Sequence, residues 1–161
     1  MKKLLSKSLD DTRRIARDWL GSLPKKEDEA IVIGLSGNLG SGKTAFVQAL
    51  AAELGVAEQV TSPTFVIEKI YLIGSNGGND PQGSVHPEVR LRVWSRLVHI
   101  DAYRLESARE LEVLNFEELV DDPNNLILIE WPENVREILP ESTLTIKCEF
   151  VSETERSYEF E

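Results

Sequence analysis

A single cysteine, Cys148, in a chain of 161 residues rules out an internal disulfide and suits a reducing cytoplasm. Basic residues are also scarce. Against 28 Asp and Glu there are 18 Lys and Arg, a formal charge of −10, and a surface of that sign does not by itself attract nucleic acid or anionic lipid. If the chain serves an RNA, a partner holds that RNA. No apolar run approaches the ~18 residues of a membrane-crossing helix, and Met1 to Lys7 is basic without the apolar stretch of a secretory leader. No internal repeat is visible. The expectation is a soluble, cytoplasmic chain without a membrane segment. Its length suits one domain over 1–161, enough for a sheet covered by helices but not for a second catalytic module.

What is present is concentrated early. The apolar run Ala30 to Leu35 leads directly into Gly37-Asn38-Leu39-Gly40-Ser41-Gly42-Lys43-Thr44, and a helix is expected from about Lys43 to Leu54. Strand, glycine-rich turn and helix form the setting of a phosphate-binding loop (P-loop). Gly37 and Gly42 allow backbone conformations that a side chain would block, so successive N–H groups can point at an anion. The helix N-terminus adds partial positive charge, Lys43 adds a full one, and the Thr44 hydroxyl suits a magnesium ion. Residues 37–44 therefore predict a nucleoside-phosphate site.

The rest of the chain reads as alternating elements. Ser8-Leu9-Asp10-Asp11 resembles a capping box opening an amphipathic helix, with Leu9, Thr12, Ile15, Ala16, Trp19 and Leu20 on one face and Gly21 at its end. Extended segments are predicted from Phe65 to Ile73 and from Val89 to Ile100, joined by a long hydrophilic hairpin loop over 74–88. Ala108 to Val120 predicts a helix, Leu126 to Ile129 a buried strand, and Asn134 to Ile138 a short helical piece. Alternation in Ser142 to Val151 predicts a half-exposed, antiparallel strand with Cys148 as a small core residue. The fold expected is α/β, a P-loop NTPase domain whose mixed sheet is flanked by helices and carries an antiparallel hairpin extension.

A P-loop needs carboxylates at the ends of neighbouring strands. Asp101, after the apolar Val98-His99-Ile100, and Glu130, closing Leu126 to Ile129, both fit. Each could instead cap a following helix or turn. His99 reads more readily as a packed imidazole than as a catalytic one, Trp131 as core filling, and Ser62-Pro63-Thr64-Phe65 as a plain turn.

Together, Gly37 to Thr44, Thr61 to Phe65, His99 to Leu105 and Ile129-Glu130-Trp131-Pro132-Glu133 resemble the TsaE family over nearly the whole chain. That family comprises ATPases required for threonylcarbamoyladenosine beside the anticodon of transfer RNAs. The resemblance implies ATP and Mg2+ as ligands, with Thr44 and Glu130 sharing the metal. It makes Asp101 an essential acid that orients water or meets the metal's water shell. It puts Thr64 on a loop responsive to the terminal phosphate and Trp131 beside the nucleotide, and sets the adenine near Ser6 to Asp10. It also implies the TsaD and TsaB proteins as partners, with tRNA engaged only indirectly through them. Departures are Asn38 for the commoner Asp, Ala45 for a second Thr, Asn115 where Gly is frequent, and a longer loop from Gly74 to Arg90. The competing readings are a small P-loop kinase, for which the length leaves little room for an acceptor pocket and lid, and a nucleotide-dependent assembly factor whose hydrolysis is incidental. A regulatory GTPase would need Asn-Lys-x-Asp, which is absent, and Asp80 to Gly83 is only a decoy for its Asp-x-x-Gly switch.

Overall fold

The computed structural model describes residues 2–24, 26–74 and 94–161. In chain order these form β1 (Lys2–Ser6), α1 (Leu9–Ser22), β2 (Ile31–Ser36), α2 (Lys43–Glu53), β3 (Glu68–Leu72), β4 (Arg96–Asp101), α3 (Arg109–Glu112), α4 (Phe116–Val120), β5 (Asn125–Glu130), a 3-10 helix (Pro132–Ile138), β6 (Leu144–Phe150) and β7 (Arg156–Phe160). The seven strands make one mixed sheet in the order β1-β7-β6-β2-β5-β4-β3. Its centre, β6-β2-β5-β4, is parallel, and antiparallel strands complete both sides. This is the expected mixed α/β architecture. Among the described residues no helix is long and apolar enough to cross a membrane.

Strand periodicity divides the core into two layers. Ile31, Ile33, Leu35, Leu126 and Leu128 face α1 and α2, where they meet Ile15, Leu20, Phe46 and Leu50. Val32, Ile127, Ile129, Val98 and Ile100 face the opposite way, onto Leu111, Phe116 and Val135. β2 and β5, buried along both faces, therefore read as unbroken apolar runs. Across the first layer Arg17 donates to both carboxylate oxygens of Glu53, tying α1 to α2.

Local chemistry explains the element ends. Ser8 caps α1 by accepting from the Asp11 amide at 3.1 Å, and Asp11 returns a bond by accepting from the Lys7 amide at 3.1 Å. Leu9 does not join the buried face: at the first helical position it points outward and is 70% exposed. The strand expected from Phe65 starts only at Glu68. The Val66 and Ile67 amides turn back to the Pro63 carbonyl, and Ile67 sits at φ 68°. Val89 to Ile100 likewise shortens to Arg96–Asp101, with 89–93 and nearly all of the 74–88 loop outside the described residues. β6 pairs antiparallel with β7 but parallel with β2, because it lies inside the sheet rather than at its margin. Cys148 in β6 is buried, and burial pushes its thiol up to about 12, which suits a small core residue and not a nucleophile.

The helix expected over 108–120 is broken in two. Asn115 adopts φ 56°, ψ 40°, ending one helical turn and starting the next, so that Leu111 and Phe116 can both enter the second core layer. The left-handed conformation costs most L-residues about 1–2 kcal/mol, while Asn tolerates it and Gly escapes it. Asn115→Ala should therefore destabilise the fold by about 1 kcal/mol while Asn115→Gly leaves it unchanged or slightly more stable. Urea unfolding of the two variants checks this.

Candidate functional site

The parallel centre of the sheet aims β2, β5 and β4 at one end of the molecule, and the site lies where they stop. After Ser36 the chain turns through Gly37 to Gly42 into α2, with φ of 136° at Gly37, 77° at Gly40 and 98° at Gly42. Gly37 is doubly constrained, since an added Cβ would come within 2.1 Å of the Cys148 carbonyl oxygen of neighbouring β6. At Gly40 a Cβ would meet nothing within 4 Å, so this side of the loop faces open space.

Lys43, at the start of α2, is 95% buried, its residual exposure being 5%. Its ammonium donates to the Gly37 carbonyl at 2.6 Å and the Asn38 carbonyl at 3.1 Å, and lies 3.9 Å from the centre of the Trp131 ring. Burial lowers its pKa from the usual lysine value, against the opposing pull of Glu130. The Thr44 hydroxyl, one residue on, lies 2.9 and 3.1 Å from the two oxygens of Glu130. A single hydroxyl proton serves one of these oxygens at a time, which leaves a pair of hard oxygen donors side by side.

Strand register sets the two acids next to each other. β4 and β5 pair in parallel with Asp101 opposite Glu130, and both belong to the face that looks at α2. Both are nearly fully buried. Asp101 Oδ2 accepts from Ser62 at 2.7 Å and Thr64 at 2.6 Å, and Oδ1 accepts from the Tyr103 amide at 3.0 Å. Burial would raise this carboxyl's pKa, but the donors from Ser62, Thr64 and Tyr103 outweigh it and hold the group below the usual aspartate value.

Trp131 arrives by a different route. Its own φ is 61°, its amide donates to the Leu35 carbonyl at 3.2 Å, and its ring packs 5.1 Å from Tyr103. Pro132 follows so closely against β2 that a Cβ at Gly34 would lie 2.9 Å from its ring, so a glycine inside that buried strand is what lets the Glu-Trp-Pro turn approach. A cavity of about 420 Å³ joins these parts; its walls include Gly40, Lys43, Thr44, Thr64, Asp101, Glu130 and Trp131. A second, of about 380 Å³, shares Gly42 with it and lies between Ser8, Thr12, Arg156 and Tyr158.

Each sequence-predicted site residue thus lies in or beside one pocket. Gly37, Asn38, Leu39, Gly40, Ser41, Gly42, Lys43 and Thr44 form the loop, and Thr64, Asp101, Glu130 and Trp131 stand across from it. Two participants are new. Ser62 belongs to the hydroxyl pair on Asp101 rather than to a plain turn, and His99 places Nε2 3.0 Å from Glu130 Oε1. The donor set fits a magnesium–nucleotide complex: open backbone at a helix N-terminus, one ammonium, and a hydroxyl paired with a carboxylate. No group of three or more His, Cys, Asp and Glu comes together among the described residues, and magnesium bound beside phosphates needs only one or two protein oxygens.

Removing the Ser62 and Thr64 hydroxyls should leave burial opposed mainly by the Tyr103 amide. In the Ser62→Ala/Thr64→Val double variant the Asp101 pKa should therefore rise, as followed by carboxyl 13C NMR. A folded-state pKa below the unfolded one stabilises the fold above the unfolded value, and that contribution is lost as pH falls through the lowered one. The double variant should lose this acid-range pH dependence, and an unchanged Asp101 titration would contradict the assignment.

Residues 6–158 match the family model described as "Threonylcarbamoyl adenosine biosynthesis protein TsaE". A tRNA threonylcarbamoyladenosine biosynthesis protein TsaE from Treponema pallidum (strain Nichols) is 32% identical over 154 residues, covering 96% of each chain. One from Bacillus subtilis (strain 168) is 34% identical over 129 residues, covering 80% of this chain and 68% of that one. Among solved structures, the crystal structure of Bacillus subtilis YdiB superposes with a TM-score of 0.64 at 25% identity, covering 99% of this chain and 83% of that one.

Proposed function

The chain belongs to the TsaE family and so serves the biosynthesis of threonylcarbamoyladenosine in tRNA, and from that premise we propose that it does so as a cytoplasmic, magnesium-dependent ATPase acting on a TsaD–TsaB complex. The observation that carries the reading is the meeting of Thr44, Glu130 and Asp101 at the mouth of a glycine-rich loop with Lys43 inside it. Residues 37–44 cradle the phosphates with backbone N–H groups, and Lys43 supplies the full positive charge. Thr44 and Glu130 hold the magnesium ion, directly or through water. When bound, that ion offsets the charge of the phosphate oxygens and fixes their orientation. The base lies in the second cavity, beside Ser6 to Leu9 at the start of α1.

Asp101 acts on the attacking water. A carboxylate held below its usual pKa is a weak base, so its role is to orient that water by hydrogen bonding rather than to take its proton early. Ser62 and Thr64 tie the same carboxylate to the loop before β3, which lets the terminal phosphate and that loop sense each other. Trp131 places its ring against the Lys43 ammonium.

The two acids should separate in a magnesium titration. Glu130→Gln should raise the magnesium concentration needed for ATP binding, while Asp101→Asn should leave Mg-ATP binding largely intact and stop hydrolysis. The opposite pattern would exchange their roles.

Partners and turnover are tested together. A charge of −10 argues against direct capture of tRNA, and few groups remain over to stabilise charge on the transferring phosphoryl group. Steady-state assays should show slow ATP hydrolysis alone, marked acceleration by TsaD with TsaB, and little response to tRNA by itself. Trp131→Ala should weaken that acceleration more than ATP binding. Binding without acceleration would instead make the chain a nucleotide-dependent assembly factor.

A further inference from the structure

His99 stands inside β4, fully buried, two residues before Asp101 and therefore on the same face of the sheet. Its Nε2 lies 3.0 Å from Glu130 Oε1, the same oxygen that Thr44 approaches at 2.9 Å. Its other nitrogen, Nδ1, is buried with no hydrogen-bond partner among the described residues. Facing a carboxylate, which accepts, the ring engages Glu130 through an Nε2–H donor. Burying an imidazole with one nitrogen unpaired is costly, and a leucine or valine like its neighbours Leu97 and Val98 would fill the strand without that cost. What His99 offers in return is one directed N–H aimed at Glu130.

We propose that His99 is a positioning residue for the metal-holding carboxylate. Its Nε2–H fixes Oε1 and so sets the plane of the Glu130 carboxylate, leaving Oε2, 3.1 Å from the Thr44 hydroxyl, as the oxygen that the ring does not engage. The same bond gives a buried negative charge a donor from inside the sheet while Thr44 supplies one from α2. The inference rests on Thr44 and Glu130 as the magnesium-holding pair. It assigns His99 an action on the metal and not on the phosphates, which the same reading gives to Lys43 and the loop.

The test compares His99→Leu, which removes the donor, with His99→Gln, whose side-chain amide can reach the Nε2 position. ATP binding is measured by calorimetry across a magnesium series and again in EDTA, with melting temperatures in parallel. In His99→Leu the magnesium concentration for half-maximal ATP binding should rise about tenfold or more, as loss of a second-shell partner typically does. Affinity in EDTA should stay at the wild-type level, and His99→Gln should recover most of the magnesium response. A wild-type magnesium requirement in His99→Leu, or a His99→Gln as impaired as His99→Leu, overturns the proposal. Should the leucine variant fail to fold, His99→Asn, too short to place an amide at Nε2, takes its place with the same criteria. In the wild-type protein, 15N NMR of the imidazole should show the proton on Nε2, and a ring protonated only on Nδ1 also overturns it. Wild-type ATP binding indifferent to magnesium would fail the parent reading instead, which keeps the two failures apart.

Discussion

A carboxylate at the end of the most buried strand is the constraint around which this molecule is arranged. Glu130 is almost entirely removed from water, and an isolated ion there would be expensive enough to unsettle the fold. The chain meets that cost from two sides. α2 brings the Thr44 hydroxyl from above the sheet, and β4 brings His99 from within it. Lys43 adds positive potential from the same helix turn, although its nearest bonds are to the loop carbonyls. These groups come from three separate elements, so the site is complete only when β4, β5 and α2 are all docked. Stability and function therefore draw on the same contacts.

A second constraint is steric. The turn after β5 must pass close to β2, and the room for it exists only because residue 34 has no side chain to meet Pro132. That approach sets Trp131 over Lys43 and beside Tyr103, closing one wall of the cavity with aromatic surface. Across the mouth the Ser62 and Thr64 hydroxyls converge on Asp101, while Ile67, a β-branched residue held at φ 68°, ends the turn that carries them. One wall is thus fixed by close packing and the other by hydrogen bonds.

How much of this was legible in the sequence depends on how local each signal is. The glycine spacing before Lys43 and Thr44 carries its conformational demand within eight letters, and the run before Glu130 can only be a strand covered on both faces. The antiparallel β3–β4 pairing and the mixed sheet also follow from the pattern of extended segments. Position 115 was marked by an unusual asparagine, yet a helix period runs through it, and only packing of Leu111 and Phe116 into the same layer reveals the break. β1 and β7 carry little signal, because each is five residues long and β1 finds its partner far along the chain. His99 and Ser62 looked ordinary for a related reason. Their meaning lies in the register that sets Asp101 opposite Glu130, and in a loop that returns to that register from another part of the sequence.

The pairing of β1 with β7 also has a history in time. Lys2 lies opposite Phe160 and Ser6 opposite Arg156, so β1 finds its place only after β7, far along the sequence, has been made. Until then its backbone N–H and C=O groups are an open template for strand addition by other chains. Lys2 and Lys3 discourage that meeting by charge, and the strand is too short to hold a stray partner firmly. Closure of so distant a pair is slow, because the entropy of the long loop is lost before the ladder repays it. Contact order thus predicts that the β1–β7 margin closes after local elements such as α1 and α2 have formed.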